Sequence, residues 1–265
     1  MNASTRPIAL ITGASSGIGL ELAREFARDG YDLVLAARRI EPMQALADEL
    51  KSAGASTTVI ASDLSKPGAA AALAAELDAR GLAIEALVNN SGLGDNAKFH
   101  VSDQTRIGEM LQVNMVALTE LTRLLVPGMV KRGRGKVMMV ASTASFQPCP
   151  NMAVYGATKA YVLSFGEAIG YELRGTGVSV TVLCPGGTTS GFQKVANTEN
   201  IRFVKSKTSP RMTSAEVARL GFEATKAGRA VYITGLRNRV MAFSVRFSPR
   251  GMVLALANSM MEQVH

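Results

Sequence analysis

Cysteine is scarce: the 265 residues contain only Cys149 and Cys184. Two thiols cannot build a disulfide framework. No CxxC pair or histidine cluster offers metal-ligand spacing, so no metal is expected and a reduced cytoplasmic setting is. Acidic residues are also in short supply, 21 Asp and Glu against 29 Lys and Arg, for a net charge of +8. Such an excess draws polyanions; no recognition motif accompanies it, so nucleic acid is not an expected partner. Long apolar runs are missing as well. The greasy stretches near the end are broken by Arg246, Pro249 and Arg250, short of the ~18–20 apolar residues of a membrane span. The short polar stretch 1–7 lacks the apolar core of a secretory signal. Without linker-like tracts or internal repeats, residues 1–265 are expected to form one domain.

What is present is a chain that is 47% hydrophobic, organised as short apolar runs between longer helical patterns. Strands are expected at Ile8–Thr12, 31–36, 56–61, 83–89, 136–141, Val178–Cys184 and 230–234. Helices are expected at 17–29, 41–53, 67–80, 103–131, 152–174 and 213–227. Runs such as IALIT, DLVLAA and VSVTVLC are continuously apolar, which suits strands buried on both faces. Their alternation with helices predicts an α/β fold, a Rossmann-type doubly wound, seven-stranded parallel sheet with helices on both faces. In such sheets ligands bind beyond the carboxyl ends of the strands.

After the first strand comes Thr12-Gly13-Ala14-Ser15-Ser16-Gly17-Ile18-Gly19, with a helix directly behind it. Glycines let the backbone approach a diphosphate, and the helix N-terminus offers unpaired N–H groups and a positive dipole end. Gly13, Ser15, Ser16, Gly17, Ile18 and Gly19 are therefore candidate cofactor contacts. The second strand ends in Ala37-Arg38-Arg39, where a NAD site usually carries an acid for the ribose 2′-hydroxyl. A guanidinium suits a 2′-phosphate instead, so NADP(H) is the expected cofactor and Arg38 its main contact. Asp63 and Leu64 follow the third strand, where the carboxylate can accept from the adenine amino group. Asn90, after the fourth, can bring backbone close to the ribose.

Ser142 ends the fifth strand, and Tyr155 and Lys159 are four apart on a helical stretch. That spacing places phenol and ammonium on one face. A neighbouring cation lowers a tyrosine pKa, making Tyr155 a general acid/base for a carbonyl oxygen, with Ser142 hydrogen-bonding the same oxygen. Asn114 is the fourth candidate: its side chain or its main chain can hold a water joining Lys159 to solvent. Alone, each is equally an ordinary strand-end or helix residue.

Together these pieces resemble the short-chain dehydrogenase/reductase family over roughly residues 7–235. They are TGASSGIG at 12–19, NNSG at 89–92, Asn114, Ser142, YGATK at 155–159 and CPGGTTS at 184–190. The resemblance implies a catalytic tetrad of Asn114, Ser142, Tyr155 and Lys159. The tyrosine moves the proton; the lysine contacts the nicotinamide ribose, and Tyr155 and Lys159 thereby also bind cofactor. Pro185, Gly186 and Thr188 border the nicotinamide. It further implies a small carbonyl or alcohol substrate, action as a carbonyl reductase, and a homo-oligomer. Ser91 stands where the family usually has alanine, and Ser190 where it often has a second threonine. A non-catalytic NADP(H)-binding sensor or interaction protein is the alternative on the same fold.

Two segments remain. Residues 187–212 read as a weakly structured substrate lid carrying Lys194, Arg202, Lys205, Lys207 and Arg211 against Glu199. That imbalance suits either an acidic substrate or a solvated basic surface. The tail, 236–265, mixes arginines with VMAF and MVLALA. A closing helix packed on the core or on another subunit is the expectation; peripheral contact with a membrane is the alternative.

Overall fold

The computed structural model describes residues 6–205 and 211–263, so Lys207 lies outside the described residues. Six parallel strands, β1 (Ile8–Thr12), β2 (Asp32–Ala37), β3 (Thr57–Ala61), β4 (Ile84–Asn89), β5 (Gly135–Val140) and β6 (Val178–Cys184), fall within a residue of their expected bounds. A short pair, β7 (Thr188–Thr189) and β8 (Met212–Thr213), lies outside the main sheet. With β9 (Val231–Ile233) the main sheet reads β3-β2-β1-β4-β5-β6-β9. The order reverses between β1 and β4, which opens a crevice for a ligand at their carboxyl ends.

Continuous apolarity has the expected cause. Ala9, Ile11, Leu33, Leu35, Ala86 and Val88 enter a core under α1 (Gly17–Arg28), α2 (Ile40–Ser52) and α9 (Ser214–Lys226). The intervening Leu10, Val34, Ala36 and Leu87 enter a second core under α3 (Ala69–Ala79), α5 (Leu118–Arg132) and α6 (Ala153–Glu172). Each strand is thus sandwiched, as a parallel sheet requires. On α6, Gly166 allows a close approach to the sheet: a Cβ there would run into Val182 and stand 3.3 Å from the Met139 sulfur.

The expected helix over 103–131 is two helices, α4 (Gln104–Leu111) and α5, joined by a π-helical turn at Gln112–Ala117. Such turns are single local expansions, frequent at functional sites, and periodicity does not reveal them. The run 104–131 is long and apolar enough by composition to cross a membrane, yet Leu118, Leu121 and Met129 sit in the second core.

The lid is more structured than expected. Besides the β7–β8 pair it holds α7 (Phe192–Val195) and α8 (Arg202–Lys205). The tail comprises α10 (Leu236–Ser244), a 3-10 turn at Val245–Phe247 and α11 (Arg250–Met261). Among the described tail residues only Ala242, Val253 and Ala257 are buried, so the expected core-packed closing helix is not what forms. Instead the chain end clasps the lid. Ile201 and Gln263 form an antiparallel bridge, and the Arg202 N–H donates to the Glu262 carbonyl at 2.9 Å. The Asn96 amide donates to the Met261 carbonyl at 3.0 Å, and the Gln263 amide to the Asn197 carbonyl at 2.9 Å.

Candidate active site

The cleft beyond the strand ends has a volume of about 740 Å³. Thr12, buried at the end of β1, organises one side of it. Its hydroxyl donates to the Val88 carbonyl at 3.2 Å and accepts from the Asn90 and Ser91 N–H groups, each at 3.0 Å. The glycine loop is thereby tied to the end of β4. Gly13 and Gly17 have φ of +66° and +61°, a region where a Cβ is strained. A Cβ at Gly13 would also stand 2.8 Å from the Asn90 amide nitrogen. Ser16, the N-cap of α1, makes no side-chain cap and the first turn holds no acid. The opening N–H groups and positive dipole end therefore suit an anion.

Gly13, Ser15, Ser16, Gly17 and Ile18 line the cleft. Gly19 is not among its lining residues: it is buried, and a Cβ there would meet the Asn90 side chain and Gly13 carbonyl. Its lack of a side chain lets the first turn of α1 pack closely on the loop. Asn90 lines the cleft, but its amide is spent on the Thr12 and Gly13 carbonyls, at 2.9 and 3.3 Å. Arg38 and Arg39 both reach the cleft, and Arg39 donates to the Ser15 hydroxyl at 3.4 Å. Asp63 and Leu64 line the same end. Burial pushes the Asp63 carboxyl up, but hydrogen bonds from the Ser65 hydroxyl and N–H, with Arg38 and Lys66 nearby, outweigh it and hold the group below its ordinary range. It is an ionised acceptor.

Ser142, Tyr155 and Lys159 converge at the other end of the cleft. The β5 strand delivers Ser142, whose hydroxyl accepts from the Ala144 N–H at 3.1 Å. One turn of α6 separates Tyr155 from Lys159. The lysine is buried; its ammonium donates to the Val140 carbonyl at 2.8 Å and lies 5.8 Å from the Tyr155 ring centroid. Gly92 makes room, since a Cβ there would stand 3.4 Å from both the Lys159 nitrogen and Asn114 Oδ1.

Asn114, buried in the π-helical turn, is fully engaged. Its Oδ1 accepts from the Leu93 N–H at 2.9 Å; its amide donates to the Leu93 carbonyl and the Thr158 hydroxyl, each at 2.9 Å. This clamps the loop after β4 to α6. Both amide hydrogens are thereby used and Oδ1 accepts one bond, while Asn114 is absent from the cleft lining.

The expected lowering of Tyr155 by Lys159 is also not what the geometry gives. Burial pushes the phenol up to about 12, with the Ser142 hydroxyl pulling it down and the Cys149 thiol nearby pushing up. Burial likewise lowers Lys159 to about 8. Both shifts follow from taking the charged form out of water.

Pro185, Gly186 and Thr188 form the next wall, with the Thr188 hydroxyl donating to the Gly186 carbonyl at 3.1 Å. Of the lid bases that are described, Lys194 lines the cleft, whereas Arg202 pairs with Glu262 at 3.3 Å. Sequence reasoning did not single out Cys149, Met152 or Phe192, nor individually the tail residues Met241, Met260 and Met261, all of which line the cleft. Thr12, outside that lining, carried a signal, a hydroxyl at the end of an otherwise apolar strand; the methionine-rich composition of the tail was the signal for contact with an apolar substrate.

A family model described as short chain dehydrogenase matches residues 7–201. The ketoacyl reductase HetN of Nostoc sp. is 33% identical over 186 residues, covering 70% of this chain and 65% of that protein. The NADP-dependent 3-hydroxy acid dehydrogenase YdfG of Salmonella typhi is 37% identical over 180 residues, 68% of this chain and 71% of that one. A solved short-chain dehydrogenase from Sphingobium yanoikuyae in complex with NADPH superimposes with a TM-score of 0.80 at 31% identity, covering 93% of this chain and 94% of that one.

The lysine's position sets a pH test. Lys159 is charged below about 8 in the folded chain but up to about 10.5 when exposed, so the unfolded state binds the extra proton between those values. Stability then rises with pH across that window. For nucleotide-free protein, the melting temperature relative to Lys159→Met is expected to climb from pH 8 to pH 10.5; a constant difference in thermal scans would contradict the burial of the ammonium.

Proposed function

This chain belongs to the short-chain dehydrogenase/reductase family, and from that premise we propose that it is an NADP(H)-dependent reductase of ketones with an apolar body. The observation that carries the reading is convergence. One cleft joins a phosphate-suited loop and two arginines at one end to Ser142, Tyr155 and Lys159 at the other. The family takes a nicotinamide dinucleotide, and the residues present fit one. The uncapped N-terminus of α1 and the left-handed glycines suit the diphosphate. Arg38 and Arg39, with no acid at the end of β2, favour a 2′-phosphate, and the ionised Asp63 can accept from the adenine amine.

When bound, the reduced dinucleotide supplies hydride. The protein supplies the proton and holds the oxygen. Tyr155, whose hydroxyl lies beside Ser142 in the cleft, is placed to donate its proton to a developing alkoxide. Ser142 hydrogen-bonds the same oxygen as charge grows on it. Lys159, fixed by the Val140 carbonyl, stabilises the phenolate left after the proton departs and offers its remaining N–H donors to the nicotinamide ribose.

An apolar substrate is supported by the walls around this end: Leu93, Met152, Phe192, Ile201, Phe203 and Met261. Relatives named for ketoacyl and very-long-chain 3-oxoacyl-CoA reduction point the same way.

Purified protein is expected to oxidise NADPH in the presence of aliphatic ketones. Tyr155→Phe should lower kcat by roughly 10²–10⁴-fold while NADPH binding, read by fluorescence, is retained; retained turnover would remove the assignment. Arg38→Ala should raise KM for NADPH by roughly 10–100-fold, leaving NADH unaffected. Across a series of 3-oxo esters, kcat/KM should rise up to about fourfold per added methylene that the walls bury. A flat series would exclude an apolar-bodied substrate.

A further inference from the structure

The tail presents a surface that the catalytic reading does not use. Leu236, Val240, Phe243 and Phe247 are 74%, 60%, 58% and 76% exposed. They fall at i, i+4, i+7 and i+11, which on a helix forms one stripe. Phe243 and Phe247 meet edge to face at 5.2 Å. On α11, Met252 and Leu256, one turn apart, are exposed as well. Eight of the seventeen exposed large hydrophobic residues lie between 236 and 256, a concentration that marks an interaction surface rather than scattered apolar exposure.

Charge identifies the partner. Residues 236–261 contain four arginines and no Asp, Glu or Lys. At 100° per residue, Arg239 and Arg246 flank one side of the stripe and Arg237 the other; Arg246 also lies over the Phe243 ring at 6.0 Å. The first acid, Glu262, is already paired with Arg202. An apolar stripe edged by guanidiniums alone matches hydrocarbon beneath a layer of anionic headgroups. A second copy of this face would bring arginine against arginine. The same tail supplies Met241, Met260 and Met261 to the cleft, so the surface lies beside the substrate end.

We propose that the α10–α11 tail is a docking surface for an anionic lipid bilayer, seating the Leu236–Val240–Phe243–Phe247 stripe in the interface with the arginines at the phosphates. The proposal rests on the surface and not on the assigned chemistry, so vesicle binding and turnover fail or succeed separately.

The test is flotation of the full chain with two kinds of vesicle, phosphatidylcholine alone and phosphatidylcholine mixed with phosphatidylglycerol. Binding is expected to the mixed vesicles and to fall as salt rises. The double variant Arg239→Gln/Arg246→Gln should lower the partition coefficient roughly thirty-fold. Phe243→Ser/Phe247→Ser should abolish flotation while a short water-soluble ketone is still reduced at the parent rate. No flotation with anionic vesicles at low salt would overturn the proposal. Equal binding to neutral vesicles would overturn the role of the arginines. Light scattering supplies the competing outcome: if the phenylalanine variant halves the particle mass and the parent never floats, the face is an interface between copies of this chain.

Discussion

The chemical end of the cleft depends on a buried ammonium finding a home. Lys159 has left water, and the Val140 carbonyl at 2.8 Å is the acceptor that holds its position. Everything nearby conforms to that requirement. β5 must end where its last carbonyl faces α6, Gly92 lies close beside the ammonium and the Asn114 oxygen, and Asn114 braces the neighbouring loop with both amide hydrogens and its oxygen. An uncompensated buried charge costs several kcal/mol, so these constraints are coupled. A chain that misplaces any of them loses the position of the ammonium and with it the one-turn relation to the phenol.

The opposite end of the cleft is built by a neutral group. The Thr12 hydroxyl, at the end of β1, serves three backbone partners on β4 and the loop after it, across the reversal in sheet order. Strand ends at such a reversal splay, and a shared hydroxyl fixes their separation. The glycine loop can then hold left-handed turns without drifting. The phosphate-suited end is thus preorganised by hydrogen bonds, the chemical end by the need to satisfy a charge.

Much of this was legible in the chain because it is written locally. Apolar runs such as IALIT report strands sandwiched between helices, and the four-residue spacing of Tyr155 and Lys159 reports a shared helix face. What escaped was set by contacts between distant residues. That Gly19 packs against the Asn90 amide and the Gly13 carbonyl is visible only in the fold. The π-helical turn at Gln112–Ala117 leaves no mark on periodicity. The tyrosine was expected to be made acidic by its neighbour, but burial is a property of the folded surroundings and in this geometry is the stronger influence. The tail was read as packing on the core or on another subunit because leucine and methionine usually are buried; within the chain its exposure follows from lying against the lid instead of the sheet.

That clasp between 201–202 and 262–263 has a practical side. The last turn of the chain is part of the wall around the substrate end, whereas β1 begins at the opposite rim of the sheet. A fluorophore placed at Gln263 would sit in the clasp and pull on it. The same fluorophore ahead of Arg6 enters where β1 starts, at the far end of the sheet from the cleft.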